Sequence, residues 1–123
     1  MHRVLVVDDN QAAAEMLSLV VRSLGNEVRT CYDGPQALEA AEQFLPDIVL
    51  LDIGMPGMDG YEVARRIREQ PWGEHITLVA VTGWGQEEDR RRTKEVGFDH
   101  HLVKPASPVV LERILAHHQD QPG

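Results

Sequence analysis

A chain of 123 residues with 42% hydrophobic and 26% charged side chains has the size and composition of one globular domain. Its formal net charge of −8 argues against general binding to nucleic acids or anionic membranes, because both favour cationic surfaces. No apolar run is long enough to span a bilayer, and Cys31 is the only cysteine. We therefore expect a cytoplasmic protein with no membrane insertion and no internal disulfide.

Short apolar runs alternate with amphipathic stretches along the chain. We predict strands near residues 3–8, 27–31, 47–51, 76–81 and 99–103. Runs such as 48–51 are apolar without alternation, which is typical of parallel strands buried on both faces. Five β-α repeats with short connections predict a single doubly wound α/β domain, in which five helices flank a five-stranded parallel sheet.

Helical spacing and capping residues mark the intervening helices. The first, at about 11–24, ends before Gly25 and has an apolar stripe: Ala13, Met16, Leu17, Val20, Val21 and Leu24. Asp33 is placed to cap the second helix, and the third helix follows Asp59-Gly60. The fifth begins at Ser107 and shows a second stripe: Val110, Leu111, Ile114 and Leu115.

The fourth helix, predicted at 86–96, has no apolar residue between Gln86 and Glu95. Its acids precede its bases, and Glu87–Arg91 and Glu88–Arg92 are spaced as ion pairs. Such a helix is only lightly held by the core. It is either a plain solvated face or an element whose docking can shift at modest cost.

Polar residues stand at the ends of four predicted strands. Asp8 and Asp9 follow the first, Asp52 the third, Thr82 the fourth and Lys104 the fifth. The carboxyl edge of an open parallel sheet is where such folds place their chemistry. Each acid alone could be a loop or capping residue, but three carboxylates together repel one another and favour a divalent cation. Ligands that are all oxygen suit Mg²⁺.

These strand ends carry four ordered motifs. They are Val6-Val7-Asp8-Asp9-Asn10, the stretch from Leu50 through Asp52 and Gly54 to Gly60, Val81-Thr82-Gly83, and Val103-Lys104-Pro105. From residue 4 to 115 the chain resembles the CheY-like receiver domains of bacterial two-component response regulators. The resemblance implies a flavodoxin-like sheet with strand order 2-1-3-4-5, a receiver domain at 1–118 and a flexible tail at 119–123.

The resemblance also implies roles for the site residues. Asp52 would attack the phosphorus of a phosphohistidine and become an aspartyl phosphate. Lys104 would pair with Asp52 and then neutralise the phosphoryl oxygens, and the Thr82 hydroxyl would donate a hydrogen bond to one of them.

A magnesium site and a switch belong to the same resemblance. Asp8, Asp9, Asp52 and the backbone carbonyl of Gly54 would hold Mg²⁺. The Lys104–Pro105 peptide bond would be cis. Thr82 would move towards the phosphoryl group while the ring of His101 turned inward behind it, unless His101 is simply a surface histidine. Protonation of His101 would then tune the switch near neutral pH. Trp84 would lie at the mouth of the site, unless it simply caps the loop after the fourth strand.

The implied partners are a histidine kinase or a histidine phosphotransfer domain, and a downstream effector at the face of the fourth helix, fifth strand and fifth helix. We expect no direct nucleic-acid contact. The segments 82–92 and 97–105 favour the C-terminal receiver of a hybrid sensor histidine kinase, with a stand-alone regulator as the alternative. An aspartyl-nucleophile phosphatase is disfavoured, because Gly54 stands where such enzymes place their general acid. A nucleotide-binding module is weaker still, because no glycine-rich loop follows the first strand.

Overall fold

In the computed structural model, described at residues 1–83, 90–104 and 107–120, the chain alternates five strands with five α-helices. The strands are β1 (Arg3–Val7), β2 (Glu27–Cys31), β3 (Ile48–Asp52), β4 (Thr77–Thr82) and β5 (His100–Val103). The helices are α1 (Gln11–Ser23), α2 (Gly34–Phe44), α3 (Gly60–Arg68), α4 (Arg90–Val96) and α5 (Pro108–Asp120), with a 3-10 turn at Pro71–Gly73. None of these described helices is long and apolar enough to cross a membrane.

The strands form one parallel sheet in the order β2-β1-β3-β4-β5, which confirms the predicted topology. Strand bounds agree with the predicted ranges to within one residue. The shift matters at the functional edge, because Asp52 pairs with Val81 as the last residue of β3 and Thr82 pairs with Val103 inside β4. The backbone of both residues is therefore fixed by the hydrogen bonds of the sheet, and neither residue lies in a loop.

The core lies in two layers, one on each face of the sheet. One layer joins alternate strand residues such as Leu5, Val49 and Leu51 to α2 and α3. The other joins Val4 and Leu50, with their neighbours, to α1 and α5. Every residue of β3 is buried, as expected for a central strand covered on both faces.

Capping residues fix the starts of the helices. Asn10, Asp33 and Asp59 each accept a hydrogen bond from a backbone N–H in the first turn of α1, α2 and α3, at 3.0, 2.8 and 3.0 Å. Gly25 has φ +92°, which confirms the left-handed position after α1. The Asn10 cap matters for the site, because it sets where α1 begins relative to Asp8 and Asp9.

Two predicted core positions are wrong. Met16 is 67% exposed, because α1 turns Ala14, Leu17 and Val21 inward and leaves Met16 on the far side of the helix. Val110 is 37% exposed, while Leu111, Ile114 and Leu115 are buried as predicted. In both helices the apolar stripe in the sequence is wider than the face that reaches the sheet.

Several predictions fall partly or wholly outside the described residues. These are the first half of the fourth helix with its Glu87–Arg91 and Glu88–Arg92 pairs, the position of Trp84, and the cis peptide bond at Pro105. Within the described part, α4 buries Thr93 and packs Val96 against the core. Helix α5 reaches Asp120, so it includes the first two residues of the predicted tail.

Candidate functional site

Three carboxylates meet at the carboxyl edge of the sheet. Asp8 follows β1 and Asp52 ends β3, and the pairing of Val7 with Leu51 brings these two strand ends side by side. One carboxylate oxygen from each of Asp8, Asp9 and Asp52 lies within 4.8 Å of the others. Asp8 and Asp52 are only 3% and 7% exposed, whereas Asp9 is exposed. The cluster thus combines two buried carboxylates, Asp8 and Asp52, with one that is exposed to solvent, Asp9.

Backbone N–H groups orient the two buried carboxylates. The N–H of Asn10 donates to Oδ1 of Asp8 at 2.9 Å, and the N–H of Gly54 donates to Oδ1 of Asp52 at 3.0 Å. The remaining oxygens share one cation, since Nζ of Lys104 lies 2.7 Å from Oδ2 of Asp8 and 3.7 Å from Oδ2 of Asp52. The predicted Lys104–Asp52 pair is present, but Asp8 is the nearer partner.

Thr82 and His101 form a second pair at the same edge. The Thr82 side chain is fully buried, and its Oγ1 lies 2.9 Å from Nε2 of the His101 ring. The pairing of Thr82 with Val103 places His101 two residues earlier on β5, on the same face of the sheet. His101 is therefore half-buried and bonded to a site residue, which a plain surface histidine would not be.

Residues 4–116 match the family model of the response regulator receiver domain. The chain belongs to this family. It is 42% identical over 109 residues to the response regulator PleD of Caulobacter vibrioides, a match that covers 89% of this chain and 24% of PleD. It is 36% identical over 112 residues to an uncharacterized 14.6 kDa protein of Leptolyngbya boryana, covering 91% of this chain and 86% of that protein.

Solved structures agree with the flavodoxin-like receiver fold. A response regulator from Chloroflexus aurantiacus superposes with a TM-score of 0.91 at 33% identity over 98% of both chains. The receiver domain of the sensor histidine kinase PA1611 from Pseudomonas aeruginosa, which has magnesium coordinated in its active-site cleft, gives 0.88 at 32% identity over 98% of both chains. This receiver spans only about a quarter of the length of PleD.

The electrostatics of the receiver site leave it short of positive charge. Burial raises the pKa of Asp52 to about 6, and the charge of Asp8 adds to the rise, while the Gly54 N–H and Lys104 act against it. Burial also lowers the pKa of Lys104, but its hydrogen bond to Asp8 and the charges of Asp52, Asp8 and Asp9 outweigh this, and the net pKa is raised. Lys104 therefore stays charged, and one ammonium faces three carboxylates.

The donor set fits a hard divalent cation. All three converging side chains offer oxygen, and their oxygens are close enough together to share one ion. Two of them are buried, and a bound divalent cation would relieve the repulsion between their charges. Mg²⁺ at Asp8, Asp9 and Asp52, with the Gly54 carbonyl as a further ligand, remains a prediction that this geometry supports.

Two arginines, Arg68 and Arg92, make contacts around α4 that the sequence did not predict. Arg68, at the end of α3, donates to the carbonyl of Gly97 at 2.8 Å and to the carboxylate of Asp99 at 2.9 Å. The guanidinium of Arg92 lies 4.0 Å above the ring of Tyr61. No spacing rule marks these pairs in the sequence, because they join residues of separate elements. The Arg68 contacts hold the segment between α4 and β5, and the Arg92 contact joins the first described turn of α4 to α3.

Proposed function

We propose that this receiver domain is a phosphoacceptor and that Asp52 takes a phosphoryl group from a phosphohistidine. The observation that carries the proposal is the position of Asp52 at the end of β3, with Oδ1 held by the Gly54 N–H and Oδ2 facing Lys104. An oxygen of Asp52 forms a bond to phosphorus as the P–N bond breaks. The electron pair of that bond stays on the imidazole nitrogen of the donor.

The neighbouring residues have separate roles in this transfer. Lys104 approaches Oδ2 of Asp52 and offsets the charge that spreads over the phosphoryl oxygens. The buried Thr82 hydroxyl donates to one of these oxygens once the group is in place. Asp8, Asp9 and Asp52, with the Gly54 carbonyl, would hold Mg²⁺, which would supply the remaining positive charge.

The phosphoryl donor is a histidine kinase or a histidine phosphotransfer domain, and the response is a shift of α4, β5 and α5 towards or away from an effector. The receiver acts as a switch rather than as a phosphatase, because a Gly at position 54 offers no general acid to protonate the leaving group of a phosphate ester. We place the domain in the cytoplasm, in agreement with its single buried thiol, Cys31.

The parent protein is a hybrid sensor histidine kinase in this proposal, with a stand-alone regulator as the alternative. The PA1611 receiver, which belongs to a sensor histidine kinase, supports the first, and the 14.6 kDa protein of Leptolyngbya boryana, 86% of which is covered by the match, supports the second. An immunoblot of the native cells with an antibody against this domain gives the mass of the parent protein. This mass distinguishes a hybrid kinase from a stand-alone regulator. A band near 14 kDa would contradict the hybrid kinase.

Intact-mass measurement after incubation with Mg²⁺ and acetyl phosphate tests the transfer directly. We expect one added phosphoryl group, lost when EDTA is present from the start. Asp52→Asn should abolish the adduct. Asp33→Asn is the matched control, because asparagine caps α2 as well as aspartate does and the residue lies outside the acid cluster. An unmodified mass with acetyl phosphate and with a phosphorylated histidine kinase would overturn the proposal.

A further inference from the structure

The hydrogen bond between Thr82 and His101 has a direction. A hydroxyl group has one hydrogen to donate, and each imidazole nitrogen either donates or accepts, depending on whether it carries a hydrogen. The 2.9 Å contact between Oγ1 and Nε2 is therefore either a bond donated by Thr82 or one donated by His101. The direction decides whether the Thr82 hydrogen is available to any other acceptor.

Burial indicates the direction in the unphosphorylated chain. The Thr82 side chain is fully buried, and in the described part of the chain its hydroxyl bonds to Nε2 of His101. A buried donor with no acceptor costs about 1–3 kcal/mol, so the hydroxyl hydrogen belongs on this bond. Nε2 then accepts, and the ring of His101 is neutral with its hydrogen on Nδ1.

A phosphoryl group on Asp52 changes this arrangement. Thr82 lies one residue beyond Val81, the residue that pairs with Asp52, so its hydroxyl belongs to the same sheet edge. The phosphoryl group brings three strong acceptor oxygens to that edge. Thr82 can donate to one of them only by withdrawing its hydrogen from Nε2. Two lone pairs would then face each other unless Nε2 gains a hydrogen.

We infer that phosphorylation of Asp52 reverses the Thr82–His101 hydrogen bond and that His101 takes up one proton from solvent as it does so. Nε2–H then donates to Oγ1, the Thr82 hydroxyl donates to the phosphoryl group, and Nδ1 keeps its hydrogen. This inference rests on the proposed function, because it assumes that Asp52 receives the group. It makes His101 a positioning residue for Thr82 and links phosphoryl occupancy to pH.

The proton has a route and a defined electrostatic setting. A groove of about 610 Å³ between α4 and β5 reaches His101. The described charged or titratable groups that line this groove with the ring are Arg91 and Lys94 on α4, and Asp99 and His100 next to it on the chain. Strand β4 contributes no charged group. The cations oppose protonation and Asp99 favours it. The negative charge of a phosphoryl group shifts this balance towards the imidazolium form.

Nitrogen-15 NMR of the histidine rings tests the reversal. The free chain is measured at about pH 7.5, because an ordinary imidazole with a pKa of about 6.5 is mostly neutral there. We expect Nε2 of His101 to carry no hydrogen under these conditions. With Mg²⁺ and beryllofluoride, an analogue of the phosphoryl group, we expect both ring nitrogens to carry hydrogen. An unprotonated Nε2 in the complex, or a shift of the hydrogen from Nδ1 to Nε2 without proton uptake, would overturn the inference.

The pH dependence of beryllofluoride affinity supplies a second readout. Ionisation of Asp52 strengthens beryllofluoride binding as pH rises in every variant. We therefore divide the affinity of the wild type by that of His101→Phe at each pH. Phenylalanine keeps an aromatic ring at this position but cannot form the hydrogen bond to Thr82. We expect this ratio to fall by about sixfold between pH 6 and 8 if binding raises the imidazole pKa by one unit, from about 6.5 to about 7.5. A constant ratio would contradict linkage through His101. In Thr82→Val, beryllofluoride should change the protonation of His101 less than in the wild type, because only the added negative charge then acts on the ring.

The two proposals fail in different ways. If beryllofluoride does not bind, as seen by fluorine NMR, the phosphoacceptor proposal fails and the linkage fails with it. If beryllofluoride binds but His101 keeps its proton count, only the linkage is lost. The free chain is an independent check, because a hydrogen on Nε2 there would remove the reversal whether or not Asp52 is phosphorylated. His101→Gln, whose side-chain amide can both donate and accept a hydrogen bond, should bind beryllofluoride more tightly than His101→Phe. The ratio of these two affinities should not change with pH.

Discussion

Lys104 lies 1.0 Å closer to Asp8 than to Asp52, with Nζ–Oδ2 distances of 2.7 and 3.7 Å. The lysine is therefore shared, and its shorter bond goes to the acid that is not the proposed nucleophile. Asp52 is left with less compensation than a direct ion pair would give, in agreement with a pKa raised to about 6 by burial and by the charge of Asp8. The Asp52 carboxylate therefore keeps part of its charge uncompensated unless a further cation binds.

Replacing Asp8 by Asn should lower the pKa of Asp52 below about 6. The substitution removes a negative charge next to Asp52 and leaves Lys104 free to move to it. Carbon-13 NMR of the Asp52 carboxyl carbon during a pH titration without Mg²⁺ measures the change. Asp33→Asn, which alters a capping acid outside the cluster, should leave the Asp52 titration as in the wild type. An unchanged or higher pKa in Asp8→Asn would refute the sharing of Lys104.

Replacing Asp52 by Asn should stabilise the metal-free fold at pH 8. The folded pKa of about 6 exceeds the ordinary value of 3.8, so the favourable contribution of Asp52 is fully present below about pH 3.8 and is lost as pH rises through about 6. Asparagine avoids burying the charge. A shift of this size corresponds to about 3 kcal/mol, which solvent screening at a partly open site reduces to about 1–2 kcal/mol.

Urea unfolding at pH 8 and pH 4 measures this effect. The gain of Asp52→Asn over the wild type should be present at pH 8 and nearly absent at pH 4, where both side chains are neutral. Added Mg²⁺ at pH 8 should narrow the difference, because it binds the wild-type carboxylates preferentially. Equal stabilisation at both pH values would show that the effect comes from packing rather than from charge.

Arg68→Ala should destabilise the domain by about 3 kcal/mol, since it leaves half-buried carbonyls and the Asp99 carboxylate without a charged donor. Arg68 donates to four backbone carbonyls, those of Gly73, Glu74, Ile76 and Gly97. Arg66→Ala is the control, because Arg66 is half-exposed and its ion pair with Glu62 is worth less than about 1 kcal/mol. Urea midpoints that fall equally in the two variants would argue against a structural role for the Arg68 network.

The fold and the acid cluster were predictable because they depend on local patterns. Apolar runs and caps locate the elements, and parallel strands necessarily bring Asp8 and Asp52 to one edge. The partner preference of Lys104 was not predictable, since it depends on which of two nearby carboxylates the side chain reaches. The Thr82–His101 bond needed the register of β4 against β5. The exposure of Met16 depended on how α1 is rotated about its axis, which a broad apolar stripe does not define.

A last prediction concerns Leu45, which ends α2 in the left-handed region with φ 51° and ψ 62°. An L-residue with a bulky side chain loses about 1 kcal/mol there, whereas asparagine tolerates the conformation. Leu45 is 50% exposed, so truncating its apolar surface costs little. We expect Leu45→Asn to raise the free energy of unfolding by about 0.5 kcal/mol in urea titrations. Leu19→Asn is the matched control, because Leu19 is 64% exposed but lies inside α1, where asparagine is a poorer helix former and should lower stability. A loss of stability in both variants would show that the backbone at Leu45 is held by its side chain rather than strained by it.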